Sequence, residues 1–256
     1  MQVQFNHRGE AWLADLSGGV DIAIPVSTSH NVRAWGLKHP EISPHRNGEW
    51  VGSIREGASV NFNDIRFNPH GHGTHTECLG HITRESQSVL SQPPPPWMIA
   101  TLVSLTPEKE GSDRIISRSQ IETALPRLDT DCLILRTLPN KESKKSRDYS
   151  GTNPPYLQAG VSDWMREQGV YHLLLDLPSV DREEDGGSLE AHKAFWGIPG
   201  APRPSATITE LIYVPGHIED GMYLLNLQMA AFENDACPSR PLLFPVRRMS
   251  EKEGLK

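Results

Sequence analysis

At 256 residues the chain is long enough to bury a substantial core and short for two full domains. Its 37% hydrophobic and 22% charged residues are ordinary for a globular protein, and a net charge of −7 without a large basic block argues against nucleic acid as a partner. No run approaches about 18 apolar residues, Met1 to Gly19 lacks a signal peptide's basic start and apolar run, and three scattered cysteines (Cys78, Cys132, Cys237) argue against a disulfide framework, so a cytoplasmic protein without a membrane span is expected.

From the N-terminus, the alternation of Val20 to Val26 predicts a strand. Residues 30 to 50, rich in His, Pro, Asn and Gly, predict a long loop whose Trp35 and Trp50 are candidate pocket walls, as is Trp97 further on. Val60 to Phe67 alternates again and predicts a strand entering the segment 70–81. Pro93 to Pro96 is too rigid and too poor in donors for a helix or central strand and predicts a loop. Met98 to Leu105 and Cys132 to Thr137 predict buried strands, and between them Ser117 to Leu125 predicts a short helix ended by Pro126. The basic run Lys141 to Arg147, interrupted by Glu142, predicts a solvated loop. Ser162 to Gly169 predicts a helix capped by Ser162 and closed by Gly169. Val170 to Leu177 predicts a strand buried on both faces, Leu189 to Phe195 a short helix, and Thr207 to Val214 and Tyr223 to Met229 the remaining strands. Strands and helices mix without strict alternation, which points to one α/β or α+β domain over residues 1–256.

The densest chemistry lies in His-Gly-His-Gly-Thr-His-Thr-Glu-Cys-Leu-Gly-His, residues 70–81, which holds four of the chain's eleven histidines. Imidazole is the commonest protein metal ligand and moves protons near neutral pH. His75 and Glu77 are two apart, so in an extended chain they point to one side, while Cys78 faces away from Glu77 and is expected to pack. Gly71 and Gly73 allow a close approach of ligand or backbone. A metal site needs ligands from several segments; a second source is Asp176-Leu-Pro-Ser-Val-Asp181 followed by His192 and Glu210. No Gly-x-Ser-x-Gly elbow supports a serine hydrolase, and the glycine pairs are too sparse for a phosphate loop.

Residues 73–81, Gly-Thr-His-Thr-Glu-Cys-Leu-Gly-His, resemble the signature His-x-Gly-Thr-His-x-Asp-x-Pro-x-His of the cyclase-like metal hydrolases, which include bacterial kynurenine formamidase and isatin hydrolase. Asp15-Leu16-Ser17, Leu135-Arg136-Thr137, Asp176 to Asp181, His192 and Glu210 extend the resemblance from about residue 12 to 230. The resemblance implies a swivelling β/β/α fold and a homodimer or larger oligomer. It also implies one or two divalent ions, zinc or manganese, held by His75, Glu77, His192 and Glu210. His81 matches the signature's acid/base histidine, and Glu77 is either ligand or base. This chain departs from the signature at Gly71, where the first histidine would fall, at Leu79 in place of proline, and in a longer His192–Glu210 gap with an inserted Trp196 to Ser205 loop. His72 is favoured over His70 as the fifth ligand, on condition that the backbone bulges at Gly71 or Gly73.

The implied activity is metal-assisted hydrolysis of a small aromatic amide, N-formylkynurenine to kynurenine and formate, with His81 protonating the leaving amine. Two alternatives stand beside it: a hydrolase of a cyclic amide or lactone such as isatin, and a metal-binding relative that has lost catalysis.

Overall fold

Aliphatic runs buried on both faces need cover on both sides, and the chain supplies it by closing its main sheet into a barrel. The computed structural model describes residues 1–250. A hairpin of β1 (Gln2–His7) and β2 (Glu10–Asp15) precedes the barrel strands β3 (His75–Glu77), β4 (Trp97–Leu105), β5 (Cys132–Thr137), β6 (His172–Leu175), β7 (Thr207–Glu210), β8 (Gly221–Met229) and β9 (Ala236–Arg248). Strands β4, β5, β6 and β7 run parallel in that order. Antiparallel β8 joins β4 to β9, and β3 pairs with β7 on one edge and with the start of β9 on the other, which closes the ring.

Residue parity divides each strand between two cores. Ala100, Leu102, Cys132, Ile134, Leu174, Leu225, Leu227 and Leu243 meet in the barrel interior. Val103, Leu105, Leu133, Leu135, Leu173, Leu175 and Ile208 face outward onto the helices α1 (Arg118–Ala124), α2 (Ala159–Glu167) and α3 (Glu190–Trp196). Each helix crosses over between successive parallel strands, the connection that parallel pairing demands. On the outer face of β8 and β9, Leu224 and Phe244 pack with Ala14 of the hairpin. The mixed α/β barrel agrees with the expected fold class.

Several predicted elements change in detail. The helix at Ser117 forms with a capping box between Ser117 and Gln120. Ser162 is not a cap: the second helix begins three residues earlier, and Ser162 lies buried inside it. Only Val20–Asp21 of the predicted Val20 to Val26 strand joins the sheet, on β9. The predicted loop 30–50 is partly a β arm, with Glu41–Pro44 paired to Asn63–Arg66 and Arg46–Asn47 to Trp50–Val51. The arm leaves Ile42, Trp50, Phe62 and Ile65 exposed, so alternation in Val60 to Phe67 reports no buried face.

His172 gives a test of the core. The ring is buried on β6, with Nδ1 2.9 Å from Thr207 Oγ1, and burial pushes its pKa down to about 4. An unfolded histidine titrates near about 6.5, so between these values the unfolded chain binds the extra proton and stability falls as pH falls. We expect the stability gap between the wild-type protein and His172→Asn to shrink by about 2 kcal/mol from pH 7.5 to pH 5 in urea denaturation. A gap independent of pH would contradict this account.

Candidate metal centre

The site is built on the outer face of the barrel, where β3 and β7 lie side by side. His75 is directly opposite Glu210 in the register, and Glu77 opposite Ile208. Between them Thr76 points inward, its hydroxyl 2.8 Å from Thr209 Oγ1. Strand parity therefore puts His75 and Glu77 on one side, as their spacing predicts. The end of β3 is pinned by Thr74, whose N–H donates to Ile24 O and whose hydroxyl donates to Leu211 O at 2.5 Å. Gly73 precedes it at φ 132°, and a Cβ there would stand 2.8 Å from Ile24 O, so glycine is required by both conformation and space.

Helix α3 brings His192 over this face. Its Nδ1–H donates to Asp181 Oδ2 at 2.6 Å, which leaves Nε2 turned toward Glu77 Oε1 at 3.2 Å. Asp181 also accepts the backbone N–H groups of Ala191 and His192, so it holds the start of the helix and the ring together. His75 is oriented the same way: Nδ1–H donates to Gly73 O at 3.1 Å, and Nε2 lies 3.4 Å from Glu210 Oε2. Glu210 Oε1 in turn accepts Val180 N–H at 3.1 Å. Carboxylate or carbonyl acceptors behind histidines are the usual means of presenting the far nitrogen to a metal.

Two fully buried atoms at this point, His75 Nε2 and Glu77 Oε2, have no hydrogen-bond partner. His70 Nδ1 is 3.1 Å from Glu77 Oε2 at ion-pair distance without hydrogen-bond alignment, and its Nε2 is 2.9 Å from Asp235 Oδ2. His81 closes the group with Nδ1 3.3 Å from the same Asp235 oxygen and Nε2 3.8 Å from Glu77 Oε2. Ligand atoms of His70, His75 and Glu77, and those of Glu77, His81 and His192, lie within 4.8 Å of one another. Buried, converging and unsatisfied donors of this kind fit a divalent cation, which neither a water-filled surface nor a packed core would leave orphaned.

The electrostatics agree. Burial would raise Glu77, yet the surrounding His81, His192 and His70 hold its carboxyl well below the usual range. Burial opposes a charged His192 and a charged His70, but Asp181 and Glu77 lift the first to about 10 and Asp235 and Glu77 the second to about 10. Glu210 is pushed up by burial and by the charge of Glu77. Protons on these rings thus supply the positive charge that the buried carboxylates require and that a cation would replace.

Of the residues expected from the sequence, the structure brings together His75, Glu77, His81, His192 and Glu210. It does not bring His72, the favoured fifth ligand. That ring is held elsewhere, Nδ1 accepting Asn68 N–H at 2.9 Å and Nε2 2.8 Å from Lys38 O. His70 lies in the cluster instead, its Nδ1 3.1 Å from Glu77 Oε2. Gly71 is filled from another segment, since a Cβ there would stand 2.5 Å from Leu37 Cδ1. Asp176 also stays apart, buried under Thr137 and Lys144. Cys78 packs with Val89 and Cys237 as expected. Asp235 was missed, and the loop before β9 carries no local motif to mark it; Asp181 belonged to a recognised segment without a stated role.

A cavity of about 360 Å³ opens onto the cluster, with Trp35, Leu37 and Leu189 as apolar wall and His81, Arg182 and Glu183 on its polar side. The other two candidate tryptophans lie elsewhere, Trp50 against Phe62 on the arm and Trp97 against Phe244. Among the described residues no helix is long and apolar enough to cross a membrane.

Fold and cluster together define a class: a closed mixed barrel carrying a histidine–carboxylate centre on its outer face, next to a small pocket. The family model of the Cyclase family, described as "Putative cyclase", matches residues 20–182, and the chain belongs to that family. The kynurenine formamidase of Bacillus anthracis is 26% identical over 235 residues, covering 89% of this chain and 97% of that protein. Among solved structures, a potential metal-dependent hydrolase with cyclase activity aligns with a TM-score of 0.64 at 15% identity over 88% of this chain and 96% of its own. An isatin hydrolase bound to the product analogue thioisatinate aligns with a TM-score of 0.60 at 12% identity, covering 90% and 92%.

Proposed function

We propose that the protein is a metal-dependent hydrolase of a small aromatic amide, with N-formylkynurenine as the leading substrate. The observation that carries the reading is the pair of buried unpartnered atoms, His75 Nε2 and Glu77 Oε2, facing His192, His70 and Glu210. These five residues would hold a zinc or manganese ion. Such an ion supplies a polarised carbonyl and water acidic enough to act at neutral pH.

The chain's own groups do the rest. Asp181 and Gly73 O fix the tautomers of His192 and His75. His81 is partly exposed at the cavity, where it can reach a substrate nitrogen, and Asp235 beside its Nδ1 favours the protonated ring. Glu77 is the largest influence raising His81; a cation shared with Glu77 would offset it and leave Asp235 as the stabilising partner. His81 is therefore the proton donor to the leaving amine, a role worth about 10²–10⁴ in rate. Trp35 and Leu37 offer a flat substrate an apolar wall.

Kynurenine formamidase relatives support an open-chain formamide, and the isatin hydrolase neighbour keeps a cyclic amide as the second reading. The test is hydrolysis of N-formylkynurenine and of isatin by the purified protein, after chelation and after return of zinc or manganese. Formamide hydrolysis lost on chelation and restored by metal is the expected result. Preference for isatin favours the cyclic reading; no metal enrichment and turnover of neither compound would overturn both.

A further inference from the structure

The basic run Lys141 to Arg147, expected as a solvated loop, instead forms a short 3₁₀ turn over Glu142–Ser146 that walls a second cavity. This cavity measures about 770 Å³, and it shares no lining residue with the one at the metal cluster. It lies beyond the C-terminal ends of β4, β5 and β6, at Thr106, Thr137 and Leu177. Parallel sheets tend to bind ligands at that end of their strands.

Four cationic residues, Arg114, Lys141, Lys144 and Arg147, line it, and no carboxylate does so among the described residues. In a chain of net charge −7 this is a local reversal of sign. Only Lys144 is neutralised, by Asp176 at 2.7 Å. Among the described residues Arg114, Lys141 and Arg147 have no ion-pair partner, and Arg147 rests over the Tyr149 ring at 4.9 Å. Tyr149 also lines the cavity; it is 2% exposed, and its hydroxyl has no hydrogen-bond partner among the described residues. The phenol lies under Arg147, and its unused hydroxyl can donate to an acceptor bound in the cavity. Pro139, Pro154 and Pro155 add rigid apolar walls.

We propose that this second cavity binds a small organic dianion, a phosphate monoester or a dicarboxylate, through Arg114, Lys141, Arg147 and the Tyr149 hydroxyl. Titration calorimetry at constant ionic strength with phenyl phosphate and with succinate, both weak chelators, tests it and separates the two sources of charge. Saturable binding of at least one, with a dissociation constant below about 1 mM, is expected. The triple variant Arg114→Gln, Lys141→Gln, Arg147→Gln should weaken it at least tenfold with metal content unchanged. Tyr149→Phe, which alters no charge, should weaken it about threefold or more, as loss of one directed hydrogen bond requires. No saturable binding of either probe, or equal binding by the triple variant, would overturn the proposal.

Discussion

Replacing Glu77 with glutamine is expected to remove the bound cation and, with it, all but a trace of turnover. Glu77 touches three of the four histidines in the cluster: His192 at 3.2 Å, His70 at 3.1 Å and His81 at 3.8 Å. It is fully buried, and one of its oxygens is unpartnered. An amide removes the negative charge and offers one acceptor in place of two. Changes to groups behind a metal's ligands cost about 10–100-fold in affinity, so loss of this carboxylate should cost at least about 100-fold. Asp181→Asn, which touches only the back of His192, should fall within that 10–100-fold range. His81→Ala should keep its metal and lose about 10²–10⁴ in rate. Metal content after dialysis against a chelator, and the rise in melting temperature on adding zinc, measure the first two. A Glu77→Gln protein that retains stoichiometric metal but no activity would make Glu77 the base instead of a ligand; one that retains both would remove it from the centre.

The parts of this arrangement that the sequence exposes are those set by local chemistry. Cys132–Thr137 and His172–Leu175 read as strands because aliphatic residues occupy both parities, which only a doubly covered sheet tolerates. Ser117 and Gln120 announce a helix start within four residues. His75 and Glu77 share a face because strands alternate. What stays hidden is set by contacts between distant segments. The choice between His70 and His72 turns on where Leu37 sits, since it fills the space beside Gly71, and on the Lys38 carbonyl that engages the His72 ring. Neither contact has a signature in residues 70–81.

Asp235 illustrates the same limit. It lies 154 residues beyond His81 yet contacts it, because the start of β9 pairs with β3 and carries the preceding loop to the cluster. The strand itself escapes a reading by periodicity. Ala236–Arg248 contains Pro238, Pro241 and Pro245, which usually mark an edge or a break. Here β9 changes partners along its length, from β3 to β8 to β2, and the proline carbonyls still accept: Ala230 N–H donates to Pro238 O and Ile22 N–H to Pro241 O. Near the position that Gly71 leaves without a histidine, the structure thus places a neighbour, His70, and a carboxylate from the far end of the chain, Asp235.

Lys144→Met is expected to destabilise the protein by about 3–5 kcal/mol, the range for breaking a buried ion pair from one side. Asp176 is fully buried at the end of β6; it accepts Thr137 N–H at 3.0 Å, Thr137 Oγ1–H at 2.9 Å and Lys144 Nζ–H at 2.7 Å. Burial nonetheless wins, and its pKa lies above the ordinary value even with Lys144 in place. Without the ammonium the carboxylate either remains charged in a dry site or takes up a proton. Because its folded pKa is raised, its contribution to stability is fully present below the unfolded value near about 3.9 and is lost as pH rises through the folded one. The penalty of Lys144→Met should therefore be larger at pH 8 than at pH 5. Lys144→Met combined with Asp176→Asn removes both charges and should recover most of the loss at pH 8, since a neutral pair carries no uncompensated charge. Denaturant unfolding of the wild type, Lys144→Met and the double variant at the two pH values measures this. A loss below about 1 kcal/mol, or a double variant no better than the single one, would show that Lys144 is solvated and available. In that case its charge would join those of Arg114, Lys141 and Arg147 in the basic cavity, so the same experiment decides how many cations that cavity offers a ligand.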